Sequence, residues 1–268
     1  KSIFLWGEQG LGDEILASGM VPEVAALAGK CVLGCSARLL KLFQRSFPNV
    51  EVVDLAVFLA RRGDARFDFQ SSLLDLGRMR RRSIAAFPNR RSYLRADDAV
   101  TREIRAQFKN QSSSTKRIVG FSWRSFASHI GAQKTPPLDV WRPLFETPDI
   151  AFVSLQYGAA EDLEGDLAQF RAWARGPMIT VADMGQDLDR QAAQMAALDQ
   201  VVTVSNTTAH LAGALGVPGR VIVPPGRASL WYWFKTGDYS PWYASLRLHR
   251  WAPGQALAGA DSPDTIIV

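Results

Sequence analysis

The chain has 268 residues, room for one large or two medium domains, and 47% hydrophobic with 21% charged residues is an ordinary soluble globular composition. No apolar run approaches the roughly 20 residues a membrane helix needs, and two cysteines with three histidines give no metal-ligand pattern. The net charge of +5 is uneven: residues 1–114 carry 18 Lys and Arg against 12 Asp and Glu, and residues 115–268 carry 13 against 14.

The opening KSIFLWGEQG runs straight into a strand, Ser2–Trp6, and a glycine-rich turn, Gly7–Gly12. That is not a signal peptide, and without an initiator Met the chain reads as a piece of a longer protein. Asp13–Ala28 has helical spacing, with Ile15, Leu16, Gly19, Met20 and Val24 inward and Gly29 as the stop. Cys31–Cys35 is a second strand whose two thiols are expected buried and reduced, too far apart along the strand for an easy disulfide. A helix Ala37–Phe47, ended by Pro48, and a third strand Val50–Val53 follow. The β-α-β-α-β order predicts a parallel, doubly wound sheet with helices on both faces.

Ala56–Arg62 is read as a short helix, Phe67–Leu76 as extended or loop, and Ala99–Lys109 as a helix capped by Asp97 or Asp98. Ten arginines fall between Arg61 and Arg95. Such a cluster suits an acidic partner, a membrane surface or nucleic acid, or is simply a solvated face. No aromatic interleaving of the single-strand-binding kind accompanies it, so no nucleic-acid partner is expected.

Asn110–Lys116 (NQSSSTK) is small, polar and without periodicity, a linker that divides the chain into domains 1–112 and 113–268. The second half repeats the alternation: strand Arg117–Trp123, a Ser-, Gly- and Lys-rich loop, segment Leu138–Phe145, strand Ile150–Leu155, helix Ala160–Ala168, strand Met178–Val181 and helix Asp189–Leu198. Sheets of this kind bind ligands at the carboxyl ends of their strands, and two in tandem can face each other across a cleft.

Val201–Pro225 then reads as strand, polar loop, helix and strand. Asn206 caps the helix, His210 sits in its first turn, Leu211, Ala214 and Leu215 pack inward, Gly216 closes it in the left-handed conformation and Pro218 stops it. A helix start at the carboxyl end of a parallel strand offers N–H groups and a positive dipole to an anion. The same residues would equally make an ordinary capped helix with a packed or solvated histidine.

The turn GEQGLG is not the G-x-G-x-x-G of a dinucleotide site, no acid follows the second strand, and no Lys-Ser/Thr closes a P-loop. It brings Asp13 to the start of the first helix, as a helix cap or as a general base facing the second domain.

GEQGLGDEI, RSFPNVEVVDL, VGFSWRS, FVSLQYG, VSNTTAHLAGALGVP and SPWYASLRL, in this order, resemble the GT-B glycosyltransferases related to the lipopolysaccharide heptosyltransferases. The likeness is strongest to bacterial members fused to tetratricopeptide repeats, some of which glycosylate proteins. The resemblance implies an α/β GT-B fold: two Rossmann-like doubly wound domains facing a central cleft, acceptor mainly on the first and nucleotide sugar mainly on the second. It also implies a cytoplasmic, metal-independent, inverting transferase with no cofactor.

Residue by residue, the family's Gly-x-x-Asp base matches Asp13, after Gly10 and Gly12 of the turn. Its phosphate-binding Asp-Thr-Gly-x-x-His segment matches Ser205, Asn206, Thr207, Thr208, Ala209 and His210, with Ser205 in place of the acid. Ser122, Trp123 and Arg124 match the loop after the first strand of the second domain. Lys134 sits where that family often places a cationic phosphate ligand, and Gln156 and Tyr157 match the nucleotide-base side. The expected partners are a nucleotide-sugar donor and an acceptor that is a protein or a cell-surface glycan precursor. A leaving diphosphate gains charge that Arg124, Lys134, His210 and the Asn206–Thr208 amides could stabilise. A scaffolding module that has lost turnover, suggested by Ser205, and a nucleotide-sugar epimerase are the other readings of the same architecture.

Overall fold

Short β-branched runs alternating with helices can pair only in parallel, because each crossover helix must return the chain to the same sheet edge. The computed structural model describes residues 1–61, 66–112, 115–127, 129–181 and 187–252. Among these, β1 (Ser2–Trp6), β2 (Lys30–Cys35), β3 (Glu51–Asp54) and β4 (Phe69–Ser72) form one parallel sheet in the order β3-β2-β1-β4. A second sheet holds β5 (Arg117–Ser122), β6 (Ile150–Ser154), β7 (Met178–Thr180), β8 (Gln200–Val204), β9 (Gly219–Val223), β10 (Tyr239–Ser240) and β11 (Tyr243–Arg250). Its order is β10-β11-β9-β8-β5-β6-β7, parallel except for the β10–β11 hairpin. Val221 and its neighbours in β9 are thus covered on the far side by β11, a strand that lies past the last element the periodicity identified.

The predicted helix Asp13–Ala28 is two helices, α1 (Leu11–Ser18) and α2 (Val21–Ala25). Pro22 sits in the first turn of α2, where its missing N–H costs nothing, and Gly19 ends α1. The predicted helix Ala37–Phe47 begins as a 3-10 turn, Ala37–Leu39, before α3 (Leu40–Ser46). α4 (Leu55–Arg61) is described as far as Arg61, Arg62 lying outside the described residues; β4 occupies part of the expected extended segment Phe67–Leu76, and α5 (Leu76–Arg80) begins at its last residue. α6 (Asp98–Gln111) is capped by Asp97, whose carboxylate accepts from the N–H groups of Ala99 and Val100. The helix runs into the expected linker, so Asn110 and Gln111 are helical, and residues 113 and 114 lie outside the described residues. α7 (Arg142–Phe145), α8 (Ala160–Trp173), α9 (Leu188–Ala196) and α10 (Thr207–Leu215) complete the second half.

One buried cluster runs through both sheets, from Leu5 and Leu33 through Ile15 and Leu16 of α1 and Leu211 and Ala212 of α10 to Val201 and Val221. A second, Phe121, Trp123, Trp141, Phe145, Phe152 and Phe170 among it, fills the other face of the seven-stranded sheet. Arg45 of α3 forks onto Asp189 of α9, with Nη2 2.8 Å from Oδ2, and Arg105 of α6 reaches Asp199 beside β8 at 2.6 Å. Part of the arginine cluster is also internal: Glu23 of α2 pairs with Arg80, Arg81 and Arg90, and the Arg81 side chain is only 6% exposed. These three guanidiniums are therefore neither a plain solvated face nor fully free for an acidic partner. Cys31 and Cys35 are buried and unbridged, and burial pushes their thiols up to about 11 and about 12.

Candidate functional site

Parallel strands end where their crossover loops begin, so the carboxyl ends of β1, β2, β5, β6 and β8 gather the loops that carry the predicted residues. The glycine turn ends at Gly10, the N-cap of α1, which places Asp13 at the third helical position rather than at the cap itself. From there its carboxylate accepts the Gly10 N–H, one half of a capping box. Burial raises its pKa above the ordinary value, against the opposing pull of that N–H and of Lys134. Lys134, at the end of a 3-10 turn Ala132–Lys134, is 6% exposed, and burial lowers its pKa while the Asp13 charge works the other way. The Asp13 and Lys134 charges thus act on each other from the two halves of the chain, each opposing the effect of burial on the other.

Glu14, next along α1, is a residue that the sequence reading passed over. Its Oε2 accepts the Ser36 N–H at 2.9 Å, tying the ends of β1 and β2 together, and a Cβ on Gly7 would strike it. Desolvation raises its pKa too.

At the end of β8, Asn206 is the N-cap expected of it, with Oδ1 accepting from Thr208 and Ala209 at 3.0 and 3.4 Å. Its amide also donates to Ser122 Oγ at 2.8 Å and to the Arg124 carbonyl at 3.1 Å, so both ends of the side chain are engaged inside the protein. Ser205 is fully buried, and its hydroxyl accepts the Trp233 indole N–H at 2.7 Å. Thr207 is partly exposed, and Thr208 Oγ1 is buried without a hydrogen-bond partner. Gly216 closes α10 at φ +74°.

His210 is 2% exposed and sits in an aromatic box: Trp233 stacks on it at 5.3 Å and Tyr232 meets it edge-on at 4.8 Å. Burial, aided by the Lys134 charge, pushes its pKa down to about 3, so it is neutral imidazole at physiological pH. The ring lies against Gly12, where an added Cβ would come 2.8 Å from Cδ2. The two predicted edges therefore touch at this point.

Arg124 does not point freely into the site. Its guanidinium pairs with Asp166 of α8 at 2.6 Å, an acid that also accepts the Trp123 indole N–H at 2.6 Å. Gln156 holds the same loop: Oε1 accepts from Ser122 Oγ and from the N–H groups of Trp123 and Arg124, at 2.8–3.0 Å. Tyr157 packs on Phe126 at 5.7 Å, and the Arg38 charge from the β2 loop reaches its hydroxyl. Among the described residues no three His, Cys, Asp or Glu side chains gather as a metal site would require, and no helix is long and apolar enough to cross a membrane.

Tyr232, Trp233, Tyr243 and Asp166, like Glu14, were not singled out as site residues. The aromatic run SLWYWF was the available signal, but it marks a core as readily as a site.

The structure of E. coli ADP-heptose lps heptosyltransferase II matches this one with a TM-score of 0.62, covering 96% of this chain and 92% of that one at 18% identity. The glycosyl transferase family 9 structure from Veillonella parvula matches with a TM-score of 0.65, covering 93% and 86% at 14% identity. The fold is GT-B. In sequence, Protein FlbA of Caulobacter vibrioides is 34% identical over 265 residues, 92% of this chain and 43% of FlbA. The chain thus spans less than half the length of that curated relative. No protein-family model matches it. In this GT-B chain, Asp13 lies on the four-stranded side, and Lys134, Tyr157 and α10 lie on the seven-stranded side.

Proposed function

We propose that the chain is a glycosyltransferase that moves a sugar from a nucleoside-diphosphate sugar to an acceptor hydroxyl, inverting the anomeric centre without a metal. The observation that supports this best is the half-buried Asp13 carboxylate, made more basic by desolvation and coupled to Lys134 across the junction of the two sheets. Asp13 takes the proton of the acceptor hydroxyl, the oxygen attacks the anomeric carbon from the opposite face, and the bond to the diphosphate breaks. The electron pair leaves with the diphosphate, whose charge Lys134 and the α10 start at Thr207 and Thr208 offset. Tyr157 lies on the base side. Ser205, Asn206 and Arg124 serve instead to build the loops, since their polar groups are engaged internally.

The fold it shares with ADP-heptose lps heptosyltransferase II makes ADP-heptose the first donor to try. As acceptor we propose a protein or a cell-surface glycan precursor, in the manner of the repeat-associated bacterial transferases. A thermal-shift screen against nucleoside diphosphates and nucleotide sugars, followed by donor-consumption assays with and without acceptor, tests the reading. Acceptor-dependent consumption is expected. Binding without turnover would make the chain a scaffold, and isomerisation without acceptor an epimerase.

A further inference from the structure

Side chains from the ends of three neighbouring strands, β8, β5 and β6, close a ring of hydrogen bonds. Asn206 Nδ2 donates to Ser122 Oγ at 2.8 Å and to the Arg124 carbonyl at 3.1 Å, and Ser122 Oγ donates to Gln156 Oε1 at 3.0 Å. Gln156 Nε2 completes the circuit, donating to the same Arg124 carbonyl at 3.3 Å and to the Tyr157 carbonyl at 3.0 Å. Ser122, Gln156 and Asn206 are all buried. The direction of every bond is fixed. Asn206 Oδ1 accepts the backbone N–H groups of Thr208 and Ala209, so the atom facing Ser122 is the amide nitrogen, which can only donate. The Gln156 atom facing Ser122 also accepts the N–H groups of Trp123 and Arg124, so it is the carbonyl oxygen. The single Ser122 proton therefore runs to Gln156, and a lone pair of the same oxygen receives Asn206.

Both protons of each amide are spent inside the ring, so neither Asn206 nor Gln156 has an N–H left for a ligand. What the ring holds is distance. Through Asn206 it grips the first turn of α10, the end given above to the diphosphate. Through Gln156 it grips the backbone of Tyr157, the end given to the base. A buried network with every member satisfied is stiff, and a spacing set before binding need not be ordered by the ligand. We infer that Ser122 is a positioning residue whose hydroxyl, the one side chain joining Asn206 to Gln156, presets the separation of the phosphate and base ends, so that the site selects a nucleoside diphosphate over either of its pieces. The identity of the two ends rests on the glycosyltransferase reading; the ring does not.

The test has two arms. Calorimetry on wild type and Ser122→Ala compares ADP with its pieces, adenosine and pyrophosphate. The variant should bind ADP about tenfold more weakly and each piece within about twofold of wild type, because a piece uses one end only. A serine that merely supports the fold would weaken the pieces along with ADP, or leave all three unchanged; either result overturns the role. Ser122→Thr, which keeps the hydroxyl, should restore ADP binding. The second arm uses the wild-type protein alone, whether or not a variant folds. In nitrogen-15-labelled protein the side-chain amide protons of Asn206 and Gln156 should exchange slowly with water before any ligand is added, and no more slowly once ADP is bound. Fast exchange that only ADP suppresses overturns the preset spacing. Failure of wild type to bind ADP overturns the donor reading, and the role of Ser122 with it, while the amide protons still report whether the ring is closed.

Discussion

Gly12 and His210 come from the two different sheets' helices and touch: a methyl group on Gly12 would sit 2.8 Å from His210 Cδ2. The imidazole cannot give way, because Trp233 stacks on it and Tyr243 holds Nδ1. Gly12→Ala should therefore lower stability by about 1–3 kcal/mol, overpacking outweighing the roughly 1 kcal/mol by which Ala is the better helix former. A thermal melt checks this. An unchanged or higher Tm would mean that the α1–α10 contact relaxes without cost.

Asp13→Asn removes the base and keeps the shape and the Gly10 contact. Turnover should fall by about 10²-fold or more with donor affinity nearly intact, since a group that takes a proton only in the transition state adds little to ground-state binding. Because burial raises the Asp13 pKa, the acid limb of the rate should lie above 3.8, with activity appearing as pH rises through the shifted value. Full turnover in the variant would leave Asp13 as a capping residue only.

Glu23 stands among Arg80, Arg81 and Arg90. Burial works against its charge, but the Arg81 hydrogen bond and the charges of Arg81, Arg90 and Arg80 outweigh it and hold its pKa below 4.5. A depressed carboxylate stabilises the fold above its unfolded pKa, and that contribution is lost as pH falls through the folded value. Glu23→Gln should thus destabilise the protein near pH 7 and lessen the loss of stability seen below about pH 4.5 in denaturant titrations. Parallel stability–pH curves for the two proteins would count against this role.

Three donors converge on one atom of Gln156, which must therefore be the carbonyl oxygen. Gln156→Ala strands the buried N–H of Trp123 and leaves that of Arg124 short of a partner. A loss of about 1–3 kcal/mol in chemical denaturation is expected. The loop carrying Arg124 should loosen with it, read as faster amide exchange at Trp123 and Arg124 than in wild type.

What the sequence determined by itself is what nearest neighbours along the chain decide. Alternating apolar runs and helical stripes set the four-stranded parallel sheet and the parallel strands β5 to β9 of the second, but not the β10–β11 hairpin. Asn206 capped α10 and Gly216 closed it as read, because a cap depends on N–H groups two or three residues away and on one residue's freedom to reach φ +74°. Asp97 capped α6 for the same reason. The split of the first helix was legible in Gly19 and Pro22, yet the strong apolar stripe across both masked it. Only the tertiary structure decided what each polar side chain does. Ser205 meets Trp233, 28 residues on, and Arg124 meets Asp166. His210 loses its charge to burial among rings from a turn and a strand beyond its own helix. Hydrogen-bond direction and desolvation belong to the packed surroundings, which place partners from distant parts of the chain within 3 Å, and no local spacing encodes them.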